Sequence, residues 1–444
     1  MAEVVPRQLN RSDARTLTLA ALGGALEFYD FIIFVFFAAV FAKLFFPPDM
    51  PEWLRQLQTF GIFAAGYLAR PLGGIVMAHF GDRVGRKRMF MLSVLLMAVP
   101  TLLMGLLPTY AKIGIAAPIL LLILRMLQGA AVGGEVPGAW VFVSEHVPAN
   151  RIGFACGTLT AGLTLGILIG SLVATGVNSV WSQQEVLHWA WRLPFVLGGI
   201  FGLFALWLRR FLHETPVFEA MRQRRELVQG LPLKQVLTGH GRAIATSMLL
   251  TWMLTAGIVV VILMTPTLIQ RLYAISAADA AEANSVATLA LCLGCVGYGL
   301  AADRFGFRRV LVVGAALLAS GTALLYFGLR SAPQHLVALY AVSGLLVGVV
   351  GVVPTAMVNA FPAPIRFSGI SFSYNVAYAI AGGSTPLLVT LWLRTEPNAA
   401  VYFVAAACVA GVSASAIGSR QWRQHADPSP SGTSIDGADV EVGR

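Results

Sequence analysis

The sequence predicts an all-α fold: a polytopic membrane protein of twelve transmembrane helices arranged as two six-helix halves. Three observations carry this prediction. First, 57% of the 444 residues are hydrophobic and only 12% are charged, which leaves a soluble chain of this length too little polar surface to cover itself. Second, continuous apolar runs recur at 17–42, 59–80, 89–109, 115–143, 154–177, 190–212, 243–270, 284–302, 310–329, 336–360, 367–393 and 399–418. Each is close to the about 20 residues that cross a bilayer as a helix, whereas a membrane β-barrel would show short alternating segments of about ten. Third, the loop after the second run, GDRVGRKR at 81–88, returns after the eighth as ADRFGFRR at 302–309, so that Asp82 corresponds to Asp303 and Arg88 to Arg309.

Residues 1–16 form a basic N-terminal segment with Arg7, Arg11 and Arg15. The run that follows contains Glu27 and Asp30 and has no small-residue cleavage site, so it reads as a retained first span and not as a signal peptide. Residues 17–212 make the first six-helix half. A hydrophilic interdomain loop at 213–242 carries Arg222, Arg224, Arg225 and Lys234, and 243–418 makes the second half. A second echo pairs Pro148 and Arg151 with Pro362 and Arg366, and duplicated halves around a central site are the architecture of many carriers. Residues 419–444, rich in Asp, Pro, Ser and Gly, have the composition of a disordered tail.

The net charge of +10 follows topology. With both termini in the cytoplasm, the outer loops hold only Lys43, Arg55, Lys112, Arg271, Arg330 and Arg394, and nearly all other Lys and Arg lie inside, as the positive-inside rule requires. The expected location is the inner (cytoplasmic) membrane, multi-pass. No aromatic-basic patch accompanies these charges, so nucleic acid is not an expected partner. Cys156, Cys292, Cys295 and Cys408 all lie in apolar runs, so neither a disulfide framework nor a metal site is expected. No cofactor is expected.

The segment Gly299-x-x-x-Asp303-Arg304-x-Gly306-x-Arg308-Arg309 resembles the loop signature of the major facilitator superfamily, and Arg125-x-x-Gln128-Gly129 resembles its proton-coupling motif. More narrowly, GALEFYDF in span one, FAAGYLARPLGG in span two, LRMLQGAAVGGE in span four, WAWRLPF and LRRFLHETPVFE around span six, and FPAPIRFSGISFSYNVAYAIAGG in span eleven are similar to the metabolite:H⁺ symporter family. That family includes carriers for 2-oxoglutarate, citrate, shikimate, proline and betaine. The resemblance implies the major facilitator fold and secondary active transport. It also implies that Asp82 engages the opposite half as a gate, with Asp303 as its counterpart; Arg83, Arg86, Arg88 and Arg304 complete the gating set. Two positions depart from the pattern: Ala78 replaces the opening glycine of the first loop motif, and Asn359-Ala360 precedes Pro362 where relatives commonly carry an acid. Span five has no Gly-Pro pair of the antiporter kind, and its Gly162, Gly166 and Gly170 form a packing stripe.

An ionised group at the bilayer centre is costly by about 2.5–3.5 kcal/mol or more, so each intramembrane charge needs a reason. Span one supplies Glu27 and Asp30, span two Arg70, and span four Arg125 and Glu135; the apolar stretches of spans seven to twelve contain none. At about 1.5 Å per residue, Glu27, Asp30, Arg70 and Arg125 come to one level near the midplane, and Glu135 lies nearer the cytoplasm. Arginine presents a planar fork that binds a carboxylate through two parallel hydrogen bonds. The expected substrate-binding set is therefore Arg70 and Arg125 with Gln128 and Tyr67, faced by Tyr374, Asn375 and Tyr378 of span eleven. Three acids against two arginines leave one acid over. Its charged form is disfavoured in a low-dielectric site, so a proton is expected on Asp30 first, Glu135 second, with Glu27 beside them. The alternative is that these charges are structural ion pairs, which applies most to Glu27 and Glu135.

The expected function is proton-coupled symport, by alternating access, of a small carboxylate-bearing metabolite. Protons, the substrate and the lipid bilayer are the expected partners, and one twelve-span chain is expected to work as a monomer. A proton-independent facilitator or exchanger is the alternative within the class. A non-transporting sensor lacks a signalling domain, and a membrane-embedded enzyme lacks HExxH, GxSxG or a P-loop.

Overall fold

The computed structural model describes residues 8–227 and 230–426, and side chains as far as residue 416. Long helices follow the apolar runs: α1 (Arg11–Phe36), α2 (Glu52–Val84), α3 (Arg86–Leu106), α4 (Ala116–His146), α5 (Ile152–Val180), α6 (Arg192–Arg209), α7 (Gly241–Tyr273), α8 (Ala277–Phe305), α9 (Phe307–Ser331), α10 (Pro333–Ala360), α11 (Arg366–Trp392) and α12 (Ala399–Ala426). Among the described residues, eleven of these are long and apolar enough to cross a membrane. The other is α11, at 27 residues long enough but more polar, because Ser368, Ser371, Ser373, Tyr374, Asn375 and Tyr378 all turn inward. Its polarity faces protein, where the bilayer does not penalise it.

Helix ends are chemically specified. Asn10 caps α1, accepting from the Asp13 amide at 2.8 Å while the Asp13 carboxylate accepts from the Asn10 amide at 3.0 Å, a reciprocal capping box. Gly85 and Gly306, at φ 134° and 85°, make the tight turns between α2 and α3 and between α8 and α9, a backbone conformation that a side chain resists. Helix α7 is loosened by a π segment at Ala256–Met264 ahead of Pro266, and α10 by a 3₁₀ segment at Gly348–Val352 ahead of Pro354; proline removes the amide that a regular α-helix needs.

Within the first half α2 packs on α4, α1 on α5 and α3 on α6. Between halves α2 packs on α11 and α5 on α8. The interdomain segment is not a plain loop: it holds two short helices, Pro216–Gln223 and Pro232–Gly239. Helix α12 continues to Ala426, into the segment expected to be disordered, and the rest of that expectation, 427–444, lies outside the described residues. The end of the bundle bearing Arg83, Arg86, Lys87, Arg88 and the interdomain segment is called the basic face below.

Candidate functional site

The α2–α4 contact brings two guanidiniums into the interior. A methyl group at Gly129 would run into the Gly66 carbonyl, so only glycine lets the two backbones approach this closely. Arg70 is 1% and Arg125 0% exposed. Arg70 lies over the rings of Tyr378 (4.4 Å), Tyr67 (5.5 Å) and Tyr374 (5.6 Å), a set drawn from both halves. Trp140 closes it, edge-on to Tyr374 at 5.0 Å. Arg125 sits against Phe31, Phe34 and Phe63 at 4.2, 4.7 and 5.1 Å, and Tyr67 bridges the two aromatic boxes through Phe31 and Phe63. Neither arginine is ion-paired, and Nε and Nη2 of both have no hydrogen-bond partner among the described residues. Cation–π contact offsets part of the cost of burying these charges, but four guanidinium nitrogens remain available to an anion.

A hydrogen-bond chain leads away from Arg125. Its Nη1 donates to the Phe31 carbonyl (3.1 Å) and to Gln128 Oε1 (3.0 Å), and Gln128 Nε2 donates to Thr101 Oγ1 at 2.6 Å. Asp30, fully buried, lies within reach of the Thr101 hydroxyl and against Gly198 and Gly202 of α6. It makes no ion pair, and neither carboxylate oxygen has a hydrogen-bond partner, among the described residues; the neighbouring Thr101 hydroxyl, which accepts from Gln128, gives its own hydrogen to the Met97 carbonyl.

The other two acids form ion pairs, the alternative given for them above. Arg209, at the end of α6, donates to Glu27 at 2.6 Å and to Glu135 at 2.8 Å. It also donates to the Phe90 carbonyl at 2.9 Å and stacks 3.5 Å from the Phe90 ring. Ser93 donates to the second Glu135 oxygen. Arg209 was absent from the charge balance drawn from sequence: the membrane interior holds three acids and three arginines, and Glu27 and Glu135 share a cation of their own. Asn375 is likewise occupied in part. Its Nδ2 donates to the Gly133 carbonyl of α4 at 2.7 Å and to the Ser371 carbonyl at 2.8 Å, tying α11 to α4, and Oδ1 alone is unpartnered. Beside Tyr374 and Tyr378 lies a cavity of about 30 Å³, walled also by Phe28, Trp140 and Thr164, room for little more than water, which needs about 10–15 Å³ by this measure. The halves are drawn together around the centre. Thr251 and Thr255 of α7 donate to carbonyls of their own helix, and Trp252 faces Phe403 of α12, away from the site.

Residues 16–230 match the family model described as sugar (and other) transporter. The shikimate transporter of Escherichia coli is 31% identical over 426 residues, the alignment taking in 91% of this chain and 95% of that protein. The proline/betaine transporter of Salmonella typhimurium is 30% identical, with 85% of this chain and 77% of that protein aligned. The chain belongs to the metabolite transporters of the major facilitator superfamily. Among solved structures, the proton:xylose symporter XylE bound to 6-bromo-6-deoxy-D-glucose superposes with a TM-score of 0.76 at 18% identity, covering 91% of this chain and 94% of that one, which supports the fold.

In this major facilitator chain the basic face is closed by two related but unequal contacts. Asp82, at the end of α2, accepts from the Ser368 amide (2.9 Å) and hydroxyl (2.8 Å) in the first turn of α11, where a carboxylate complements the helix dipole. Asp303, at the end of α8, accepts from the Gly153 and Phe154 amides of α5 at 2.7 and 2.9 Å. Each aspartate thus caps a helix of the other half. Around Asp82 the charges continue: Arg86 lies 3.6 Å away and donates to Glu145 at 2.8 Å and to the Ala363 carbonyl at 2.8 Å. Arg366 meets the other Glu145 oxygen at 3.1 Å, and Thr215 donates to Glu145 at 2.8 Å. Among the described residues Asp303 makes no ion pair, and Phe307 and Asn359 occupy the positions that Arg86 and Glu145 hold in the first half. Arg83, Arg88 and Arg304 are exposed and stand outside the buried network, since helix periodicity turns Arg83 and Arg304 away from their neighbouring aspartates.

The transporter's sequence left Arg209, Thr101, Glu145 and Trp140 unassigned. A signal for Arg209 existed: Gly198, Gly202, Ala205 and Arg209 share the inward stripe of α6, and a cation ending a stripe of small residues is placed to enter the bundle. Thr101 gave none, since a lone threonine in an apolar helix satisfies itself on the carbonyl four residues back.

Proposed function

We propose that the chain is a proton-coupled symporter of a small carboxylate-bearing metabolite, and the observation that carries this reading is the pair of buried arginines with free donors. Two unpaired guanidiniums in a low-dielectric interior are held at a cost that an incoming anion relieves. A carboxylate bound by Arg125 Nε and Nη2, or bridging to Arg70, gains charge-assisted hydrogen bonds, and Tyr67, Tyr374, Tyr378 and Trp140 shape the space for the remainder. Both relatives are named for carboxylates, shikimate in one and the amino-acid zwitterions proline and betaine in the other, so the carboxylate is the group common to them.

Asp30 is the coupling acid in this reading. Buried beside Gly198 with no cation of its own, it is accommodated best as the neutral acid, and the chain through Thr101 and Gln128 lets its protonation be felt at Arg125. Glu135 and Glu27, bridged by Arg209, hold the first half together. Asp82 and Asp303 latch the basic face, which the distribution of Lys and Arg makes cytoplasmic, with both termini on that side of the inner membrane. A single chain supplies every residue of the site, so the monomer is the working unit.

Purified protein in proteoliposomes tests this. Uptake of labelled shikimate, proline, betaine, 2-oxoglutarate and citrate is measured under an imposed inward proton gradient and, separately, as counterflow. Accumulation of one of them that follows the gradient is the expected result, with Asp30→Asn retaining counterflow and losing accumulation. Counterflow with no response to the gradient in the unaltered protein would make it a facilitator or exchanger instead.

A further inference from the structure

A cavity of about 600 Å³ opens on the outside of the bundle near the basic face, far from the central arginines, between α2 and the interdomain helix Pro232–Gly239. Ile75, Val76 and Phe80 of α2 form one wall and Leu231, Leu233 and Leu237 the other. The α2 wall continues a strip of outward-facing side chains, Leu68, Leu72, Val76 and Phe80, each between 46% and 69% exposed. At helical spacing on a spanning helix, such a strip faces hydrocarbon. The interdomain helix turns Pro232 and Val236 inward and leaves Leu231 and Leu237 out at 63% and 51% exposure, as a helix lying in the interface does.

The polar groups are confined to the rim. Lys234, His79 and Thr238 line the cavity and no acid does. Arg83, exposed one turn beyond His79, approaches it to 3.4 Å between Nη1 and Nε2. An apolar slot continuous with the lipid-facing strip and rimmed by basic groups at one end has the polarity of one kind of molecule. We propose that this groove binds an anionic phospholipid, its acyl chain along Leu72, Val76 and Phe80 and its phosphate between Lys234, His79 and Arg83. The interdomain helix also packs against α7 and α11, so the groove is bounded by α2 of the first half on one side and by a helix seated on the second half on the other. Its shape belongs to the closed arrangement of the basic face, three residues along α2 from Asp82.

Native mass spectrometry of the delipidated full-length chain in detergent tests the site, using phosphatidylglycerol and phosphatidylcholine with the same acyl chains. Phosphatidylglycerol is expected to be retained about fivefold more tightly, the factor that one basic group contributes near an anionic headgroup. Lys234→Gln should remove that preference, Leu237→Trp should displace both lipids by filling the slot, and Arg271→Gln on the opposite face should leave retention unchanged. Equal retention of the two lipids, or a preference that survives Lys234→Gln, would overturn the proposal. Displacement of phosphatidylglycerol by soluble glycerol phosphate at equal concentration would overturn it too, because the site would then read a free phosphate and not a lipid.

Discussion

Arg209 at the end of α6 meets Glu27 in the middle of α1 at 2.6 Å, and the same guanidinium reaches Glu135 of α4 at 2.8 Å. Three helices of the first half are joined at one buried cation, and Gly23 makes room for it: a methyl there would stand 2.8 Å from Arg209 Nη2. Removing one partner of such a set leaves buried charges uncompensated, at a cost of about 3–5 kcal/mol. Arg209→Met is therefore expected to lower the thermal unfolding midpoint in detergent sharply and to reduce the yield of folded protein. Adding Glu27→Gln and Glu135→Gln to Arg209→Met should recover part of the loss. No recovery would mean that packing over Phe90, and not charge balance, is what Arg209 supplies.

The arginine in the aromatic box makes a different prediction. Arg125→Lys keeps the charge but cannot donate from Nε and Nη2 in parallel. Each charge-assisted hydrogen bond contributes about 1.5–3 kcal/mol, so the apparent affinity for the transported carboxylate should fall about tenfold or more while membrane insertion and yield stay normal. Concentration dependence of uptake measures this. Unchanged affinity would remove Arg125 from substrate contact.

These two arginines also mark how far the sequence could be read. The spans, the repeat and the inward placement of Arg70 and Arg125 were legible because hydropathy and bilayer thickness constrain them strongly. The pairing of Glu27 and Glu135 was not. It depends on Arg209: the small-residue stripe of α6 marks that cation as inward-facing, but which acids it meets is set by how α1, α4 and α6 pack and not by any local pattern. Asn375 was expected at the ligand as a neutral hydrogen-bonding group facing the charged half, but its amide spends its donors on Gly133 and Ser371 of the packed helices, a choice set by the α4–α11 distance that no local pattern encodes. The inequality of the two gates was half visible: Asn359 signalled a missing acid, and Phe307 in place of Arg86 completes the explanation.

That inequality is testable. Asp82 is embedded with Arg86, Glu145 and Arg366, whereas Asp303 accepts from two backbone amides and makes no ion pair among the described residues. Spin labels at Arg88 and Arg309, both exposed, in a background with the four cysteines replaced, would report the separation of the two halves at the basic face. Glu145→Gln, which removes the carboxylate shared by the buried Arg86 and the half-buried Arg366, should shift the distance distribution furthest toward separation, followed by Asp82→Asn, with Asp303→Asn changing it least. A larger shift for Asp303→Asn than for Asp82→Asn would contradict the ranking.

The last prediction concerns Thr101, whose hydroxyl accepts from Gln128 at 2.6 Å and donates to the Met97 carbonyl at 2.8 Å. A hydroxyl has one hydrogen to give. While Asp30 is neutral that hydrogen can rest on Met97; once Asp30 loses its proton, the carboxylate competes for it, and the hydroxyl must rotate. Rotation redirects the lone pair that holds Gln128, and Gln128 in turn holds Arg125 Nη1 at 3.0 Å. Thr101→Val keeps nearly the same shape and removes this switch, leaving one Gln128 donor unsatisfied at about 1–3 kcal/mol. The variant should fold, bind and exchange substrate in counterflow, yet its uptake should respond less steeply to an imposed pH difference than that of the unaltered protein. Thr101→Ser, which retains the hydroxyl, should restore the response. If Thr101→Val follows the pH difference as steeply as the unaltered protein, proton and substrate are not linked through this chain, and the influence of Asp30 must reach the arginines by movement of α1 itself.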